Sequence, residues 1–164
     1  MPTFNFCPQC ASPLEVAPVQ NHSRLVCAAR CGFVHWDNPI PVVAAIVEYE
    51  NDTLILIQNK GWPAEWFGLV SGFLEKGENP DEAVLREVKE ELGLDAQLIE
   101  SLGVFSFNQR NELILAYHVK ASGPIVMDPN ELEAYKIIPI HEARPWPFGT
   151  GIALKKWLKK RKEG

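Results

Sequence analysis

The cysteines of this sequence cluster near its N-terminus, in a spacing that suits a metal ion. Two close pairs, Cys-x2-Cys and then Cys-x3-Cys, stand 16 residues apart. The four residues are Cys7, Cys10, Cys27 and Cys31. Two pairs of thiolates offer a tetrahedral sulfur set to Zn²⁺, and four protein ligands leave no open position for chemistry, so we predict a structural zinc site. Because the second pair has the looser spacing, His22 or His35 stays open as an alternative ligand.

A second group of residues that could do chemistry is a run of glutamates on a predicted helix. At ~100° per residue, Glu87, Glu90 and Glu91 lie on one side of that helix. Like charges three and four residues apart destabilise an isolated helix, so the arrangement calls for a cation. Carboxylate oxygens suit Mg²⁺ or Mn²⁺. The helix alone is equally compatible with an exposed acidic surface.

The residues around these glutamates extend the run into a longer pattern. Residues 72–94 read G-x5-E-x7-R-E-U-x-E-E-x-G-U, in which U is aliphatic. This pattern resembles the Nudix box, and every specified position of the box is filled. The resemblance implies an α/β fold, namely a Nudix α/β/α sandwich with a mixed β-sheet. It also implies hydrolysis of a nucleoside diphosphate that is linked to another moiety.

The same resemblance implies roles for the charged residues of the box. Glu87 and Glu91 are then the primary ligands of the catalytic Mg²⁺ or Mn²⁺, and Glu90 is a further ligand or the base. Arg86 and Glu78 are expected to orient the catalytic carboxylates through an ion pair.

A metal between protein and substrate is also required by charge. A pyrophosphate is a dense negative charge that glutamates would repel. Divalent cations neutralise the phosphates and lower the pKa of the attacking water. Gly72, the first residue of the box, is expected to lie in the substrate-binding region and to offer its carbonyl oxygen to a metal.

A further acid often acts from outside the box in this family. The candidate is Glu131, in Asp128-Pro129-Asn130-Glu131, and the competing residue is Glu133. This segment resembles the Asp-Pro-x-Glu context of a metal-binding glutamate in the NADH pyrophosphatase branch of the family, which also carries an N-terminal zinc ribbon. The alternative is that both glutamates are surface acids before a strand.

The chain departs from that branch where specificity for NADH is set. Members selective for NADH carry S-Q-P-W-P-F-P-x-S shortly after the box, whereas residues 103–111 read GVFSFNQRN. A similar string, RPWPF, occurs at 144–148. Its simpler interpretation is a packed Pro/Trp loop, and the other is displaced substrate recognition.

Aromatic residues near the box are candidates for stacking on a base. Trp66 and Phe105 are the expected substrate-binding residues, with Trp62 and Phe107 as further candidates, because stacking requires only an aromatic face. Any one of them could belong to the core instead.

The elements that position these residues follow from the apolar pattern. Residues 1–38 form the predicted zinc ribbon, which is too small for a stable apolar core and would depend on its metal. Residues 39–164 form the predicted Nudix domain. Its apolar runs predict strands over 42–47, which is expected to be buried on both faces, and over 53–58, 66–70, 97–107, 112–121 and 133–138.

Two helices are predicted, over residues 79–93 and 150–160. Asn79 is a favourable N-cap, Glu82 completes an arrangement like a capping box, and Gly93 is placed to end the first helix. The second helix has a basic C-terminal end, which we expect to be solvated and to complement the helix dipole.

Composition excludes several classes of function. The chain has 164 residues and a net charge of −5. No basic cluster is present in residues 1–40, so we expect no nucleic-acid partner. The longest apolar run, Val42–Val47, is far shorter than the roughly 20 residues of a membrane helix, and the first residues lack the pattern of a signal segment. We expect a cytoplasmic protein with no membrane partner, and a homodimer.

These observations combine into one functional hypothesis. We expect a Mg²⁺- or Mn²⁺-dependent pyrophosphohydrolase that cleaves a dinucleotide or nucleotide-sugar such as NADH, FAD or ADP-ribose by attack of a metal-activated water. One alternative is a MutT-like nucleoside triphosphate pyrophosphatase. The other is a non-catalytic module that senses nucleotides or binds a partner, which would have no need of every acid in the box.

Overall fold

The computed structural model of the chain describes residues 4–163. It falls into two units, of which the first ends at Pro39 and the second begins at Ile40. Outside the described residues lie Gly164 and Met1 to Thr3, and the latter belong to the first residues in which a signal segment was sought. Within residues 4–163, no helix is long and apolar enough to cross a membrane.

The first unit is a three-stranded antiparallel sheet with almost no apolar interior. Its strands, in spatial order, are β1 (Leu14–Val19), β2 (His22–Cys27) and β3 (Val34–His35). The β1–β2 turn has φ of 50° at Gln20 and 64° at Asn21, a conformation that matches the twist of a hairpin. Among the described residues of this unit, Cys7 and Cys27 alone are buried. Apolar burial therefore contributes little to its stability.

The second unit is a mixed six-stranded sheet between two helices, which confirms the α/β/α sandwich. Its elements are β4 (Ile40–Tyr49), β5 (Thr53–Asn59), β6 (Val70–Phe73), α1 (Pro80–Leu92), β7 (Ala96–Phe107), β8 (Glu112–Ala121), β9 (Leu132–Pro139) and α2 (Thr150–Glu163). The strand order is β7-β8-β4-β5-β9, and β6 pairs with β4. Strands β4 and β8 run parallel, whereas the other pairs are antiparallel.

Strand β4 lies at the centre of this sandwich and is buried on both faces, as its unbroken apolar run predicts. Val43, Ala45 and Val47 pack in the apolar cluster that includes α1. Ala44 and Ile46 pack in the cluster that includes α2. The two helices are thereby held on opposite faces of one sheet.

Strand β6 is shorter and begins later than the apolar run at 66–70 predicts. Of the residues in that run, Val70 alone belongs to the strand, although Gly68 forms an isolated bridge with Ile57. Trp66 consequently lies in the loop that precedes β6, where its ring is 53% exposed.

Helix α1 begins after Asn79 and ends before Gly93, as predicted, but the Asn79 side chain does not cap the helix. Gly93 adopts a left-handed conformation, with φ of 69°, and its N–H donates to the Lys89 carbonyl. Asn79 occupies the N-cap position, but its side chain makes no capping hydrogen bond to the helix backbone. Its amide instead donates to Glu82 at 3.3 Å, so the expected capping box forms only as a contact between side chains.

The basic end of α2 is exposed to solvent, as we expected, and some of its cations also contact the sheet. Three of its cations make such contacts: Lys156 donates to the Leu102 carbonyl at 2.6 Å, Lys160 pairs with Glu100, and Arg161 pairs with Glu48 at 3.2 Å. Glu48 is buried and also contacts His118 at 2.7 Å. The charges of α2 therefore serve to attach this helix to the sheet.

The end of α1 allows a prediction about stability. In Gly93→Ala, the new Cβ would lie 2.9 Å from the Val126 Cβ in a conformation that alanine rarely adopts. Gly77→Ala is the matched control, since Gly77 also has a positive φ but faces open space. We expect Gly93→Ala to lower the free energy of unfolding by at least about 1 kcal/mol more than the control does. Urea unfolding measures both, and equal losses would contradict the proposed crowding.

Candidate metal centres and substrate cavity

The four cysteines converge in the first unit. Their sulfur atoms all lie within 4.8 Å of one another. Two pairs are closer, because Cys7 Sγ lies 3.5 Å from Cys31 Sγ and Cys10 Sγ lies 3.4 Å from Cys27 Sγ. Among residues 4–163, this cluster is the one set of three or more potential ligands that converges so tightly, and it includes neither His22 nor His35.

The geometry of the sulfurs fits Zn²⁺. A tetrahedron with Zn–S bonds of about 2.3 Å has sulfur atoms about 3.8 Å apart. Hydrogen bonds with Ser12 lower the pKa of the Cys10 thiol to about 6. A backbone hydrogen bond with Phe33 lowers the pKa of the Cys31 thiol. Hydrogen bonds with the other cysteines and desolvation outweigh this effect and raise the pKa of Cys31 to about 12. A cation is needed to stabilise all four thiolates together, and the cysteine cluster supports a structural zinc site.

In the second unit, Arg86 connects the acids of the box. Its guanidinium forms two hydrogen bonds with Glu78, at 2.7 and 3.0 Å. It also donates to Glu87 at 2.7 Å and to Glu90 at 2.8 Å. The hydrogen bonds from Arg86 hold the pKa of Glu78 below its usual value. A fifth hydrogen bond, to the Phe73 carbonyl at 3.3 Å, attaches this arginine to β6.

Glu87 is buried against β6, at a position where only glycine fits. A Cβ atom on Gly72 would lie 2.1 Å from the carboxylate of Glu87. The backbone of β6 and the carboxylate of α1 therefore approach each other directly. Burial raises the pKa of Glu87, and the hydrogen bond from Arg86 opposes that rise.

Glu91 is the most deeply buried acid of the site, with 3% of its surface exposed. Its Oε2 atom is buried and has no hydrogen-bond partner. Burial, followed by the charges of Glu87, Glu131 and Glu90, raises the pKa of Glu91 to about 9. A buried carboxylate oxygen without a donor is costly unless a cation or a proton reaches it.

Glu131 reaches the same region because its loop is attached to the end of α1. The Val126 N–H donates to the Leu92 carbonyl at 2.9 Å, and the Asp128 N–H donates to the Glu91 carbonyl at 3.0 Å. The charge of Glu131 contributes to the raised pKa of both buried glutamates, Glu87 and Glu91. Glu133 lies on β9, and its charge is not among those that raise the two pKa values.

These acids fit a hard divalent cation by their chemistry. Glu87 and Glu91 stand one turn apart on α1 with buried carboxylates, and one oxygen lacks a partner. The Gly72 backbone lies against them without a side chain. Oxygen ligands of this kind suit Mg²⁺ or Mn²⁺. Glu90 is 57% exposed at its side chain, so it borders the site from the solvent side.

A cavity of about 560 Å³ opens on the other side of β6. Ser71 lines this cavity, whereas the next residue, Gly72, contacts Glu87. Adjacent residues of a strand face opposite sides. One short strand therefore separates the buried carboxylates from the cavity, which lies toward α2.

Aromatic rings form much of the cavity wall. They come from three separate segments: Trp62, Trp66 and Phe67 before β6, Phe107 at the end of β7, and Trp146 and Phe148 before α2. The structure thus brings Trp66, a predicted substrate-binding residue, to the cavity. Phe105 is not among the lining residues; it packs in the cluster that includes α2, with Lys156 Nζ 5.6 Å from its ring centroid.

Several polar residues of the cavity were not predicted, among them Arg110 and Glu112. Arg110 and Glu112 line it and pair with each other at 3.0 Å. An arginine and a glutamate two residues apart before an apolar strand carry no signal of a site. In the RPWPF string, Trp146 packs against the apolar cluster that includes α2, as expected of a packed loop, and Trp146 and Phe148 also line the cavity.

The zinc site yields a prediction about folding. We expect about one Zn²⁺ per chain, lost in Cys7→Ser together with the fold of the first unit, because that unit has no apolar core to replace its metal. His22→Ala and His35→Ala are the controls and should keep the ion. Metal analysis and amide hydrogen exchange measure these outcomes. A folded first unit without zinc would contradict the prediction.

Two family models match the chain. One described as NUDIX domain matches residues 38–160, and one described as Nudix N-terminal matches residues 5–37. The residues matched by the second model include all four cysteines, and those matched by the first include the whole box.

Two curated proteins from bacteria are similar to most of this chain. A protein named NAD-capped RNA hydrolase NudC from Pseudomonas entomophila is 27% identical over 150 residues, which cover 90% of this chain and 52% of that protein. A protein of the same name from Stutzerimonas stutzeri is 29% identical over 149 residues, with the same coverage. The chain thus spans about half the length of the curated relatives it matches.

A solved structure supports the fold. The crystal structure of a NUDIX hydrolase from Nitrosomonas europaea superposes with a TM-score of 0.80 at 21% identity, covering 98% of this chain and 94% of that one. At this identity the likeness concerns the fold alone. With the NUDIX model matching residues 38–160 and the complete box at its centre, the chain belongs to the Nudix family, in the branch that carries an N-terminal zinc ribbon.

Proposed function

We propose that the chain is a divalent-metal-dependent pyrophosphohydrolase, which cleaves a nucleoside diphosphate linked to another moiety. The observation that carries this proposal is the pair of buried glutamates on α1, Glu87 and Glu91, with one carboxylate oxygen that has no donor. A module that only binds a partner gains nothing from this costly arrangement. A cation and a phosphate group together account for it.

In this proposal Glu87 and Glu91 hold Mg²⁺ or Mn²⁺, and Glu131 is a further ligand. When bound, the ion supplies neutralisation of the phosphates and a lower pKa for the attacking water. Glu90, at the solvent side, is the base or an additional ligand. The water oxygen forms a bond to phosphorus as the bridging P–O bond breaks, and its proton passes to the base.

Arg86 and Glu78 act as positioning residues. Arg86 donates two hydrogen bonds to Glu78 and further hydrogen bonds to Glu87 and Glu90. The hydrogen bonds from Arg86 fix the rotamers of Glu87 and Glu90, whose charges would otherwise repel each other. Preorganised carboxylates need no rearrangement when the charged substrate arrives.

The substrate class follows from the cavity and from the relatives. An aromatic cavity beside the carboxylates suits a nucleoside, and we propose a dinucleotide or nucleotide-sugar such as NADH, FAD or ADP-ribose as the substrate. The relatives are named for an RNA that carries NAD, which differs from our expectation of no nucleic-acid partner. We propose that this chain recognises the nucleotide end, so NAD-capped RNA belongs among the substrates to test.

The organisation of the protein completes the proposal. We propose domains at 1–38 and 39–164, a homodimer, and a cytoplasmic location. Light scattering of the purified chain tests the dimer, and a monomeric mass would exclude it. Separate expression of the two segments tests the boundary.

Turnover tests the activity. With Mg²⁺ or Mn²⁺, the purified chain should hydrolyse at least one of NADH, FAD, ADP-ribose or NAD-capped RNA, with products identified by chromatography. Glu91→Gln should lower kcat at least about 100-fold, because the remaining groups cannot replace a primary ligand. Glu82→Gln, an exposed acid of the first turn of α1, is the control. Turnover of dNTPs alone would favour the MutT-like alternative, and no turnover at all would refute the proposal.

The approach of β6 to Glu87 generates a separate prediction about metal affinity. In Gly72→Ala, the added methyl group displaces the Glu87 carboxylate, and we expect Mn²⁺ to bind at least about tenfold more weakly. Gly77→Ala, with open space around its Cβ, should bind Mn²⁺ as the parent chain does. Electron paramagnetic resonance of free Mn²⁺ measures both. Unchanged affinity in Gly72→Ala would remove Glu87 from the ligand set.

A further inference from the structure

The cavity beside β6 combines aromatic walls with an acid at the start of β8, Glu112, and this combination points to the group that it recognises. Trp66 and Phe148 are 53% and 44% exposed, so their rings are available to a ligand. Phe148 also stacks on Phe107, with ring centroids 6.2 Å apart. Exposed rings from separate segments suit a planar heterocycle, because stacking on an aromatic face stabilises its binding.

Glu112 lines this cavity from the start of β8. It is the first residue of β8, where it pairs with Phe107 of β7 and with Ile40 of β4. Its side chain is only 11% exposed. Ile114, two residues further along the same strand, also lines the cavity and belongs to the core. The backbone at Glu112 is therefore held in place by the sheet, and its side chain is nearly buried.

The contacts of Glu112 leave it able to accept another hydrogen bond. Arg110 Nε pairs with one carboxylate oxygen at 3.0 Å. An ionised carboxylate has about four acceptor sites, so one donor does not satisfy it. The Arg110 side chain is 62% exposed and remains hydrated. A ligand that displaces water from the apolar part of the cavity must then present a donor to Glu112, or leave a nearly buried charge poorly solvated.

We propose that Glu112 is a specificity-determining residue, which accepts a hydrogen bond from an amino group on the aromatic ring held in the cavity. The inference rests on the proposed function for the identity of the ligand as a nucleotide. The selected class is a heterocycle with an amino donor, either an aminopurine or a pyridine carboxamide. A ring without that donor binds more weakly, and a ring that carries a carboxylate is repelled.

Binding of matched ligands tests this without turnover. Isothermal titration calorimetry on the full chain, with no divalent metal, uses ligands without phosphates, which the glutamates would repel, and compares adenosine with purine riboside, which lacks the amino group. It also compares nicotinamide riboside with nicotinic acid riboside, in which a carboxylate replaces the carboxamide. We expect a preference of about tenfold or more for the amino-bearing member of at least one pair. The pair that shows it identifies which ring enters the cavity.

Variants assign the preference to Glu112. In Glu112→Ala it should fall below about twofold, and in Glu112→Gln, which keeps the shape and a weaker acceptor, it should be intermediate. Glu65→Ala is the matched control, since Glu65 also lines the cavity, and it should keep the full preference. Circular dichroism checks the fold of each variant, and Glu112→Gln decides the question if the alanine variant does not fold.

Three results would overturn the proposal: no preference in either pair, a preference that survives in Glu112→Ala, or an equal loss in Glu65→Ala. These outcomes are independent of hydrolysis, because no metal is added and no bond is broken. A chain that hydrolyses nucleotides without this preference would retain the proposed function and lose this inference. A chain that shows the preference without turnover would retain this inference and lose the proposed function.

Discussion

The second unit is organised around the burial of like charges on one helix. Glu87 and Glu91 are removed from water on the side of α1 that faces the sheet, where burial raises the pKa of both and the charge of Glu87 raises that of Glu91 further. Arg86 compensates part of this cost by bonding to Glu87, but Glu91 keeps an oxygen without a donor. Such a helix is stable only because its apolar stripe packs on the sheet, and that burial keeps the acids in place for a cation.

The sheet contributes to the site because different parts of β4 pair with different strands. The first half of this strand pairs with β6 and the second half pairs with β5. Strand β6 can therefore face α1 with Gly72 and face the cavity with Ser71. A nucleotide has a charged part and an aromatic part, and the two sides of β6 offer different environments for them.

The two units obtain their stability in different ways. The second unit buries two apolar clusters, one on each face of its sheet. The first unit has Phe6 63% exposed and Val16 70% exposed, and its buried residues, within the part that the structure describes, are Cys7 and Cys27. Metal ligation takes the place of a core there, as in other segments too small to bury enough apolar surface.

Much of this protein is determined by local pattern in the sequence. The unbroken apolar run of β4, Gly93 at the end of α1 and the paired cysteines each follow from propensity or spacing, and the box identifies the family. The tertiary structure decided what depends on residues distant in the chain. Glu131 reaches α1 through hydrogen bonds of its loop, and the cavity collects Glu112 with rings from three segments. Spacing reports only neighbours along one element, whereas these groups become neighbours when the sheet forms.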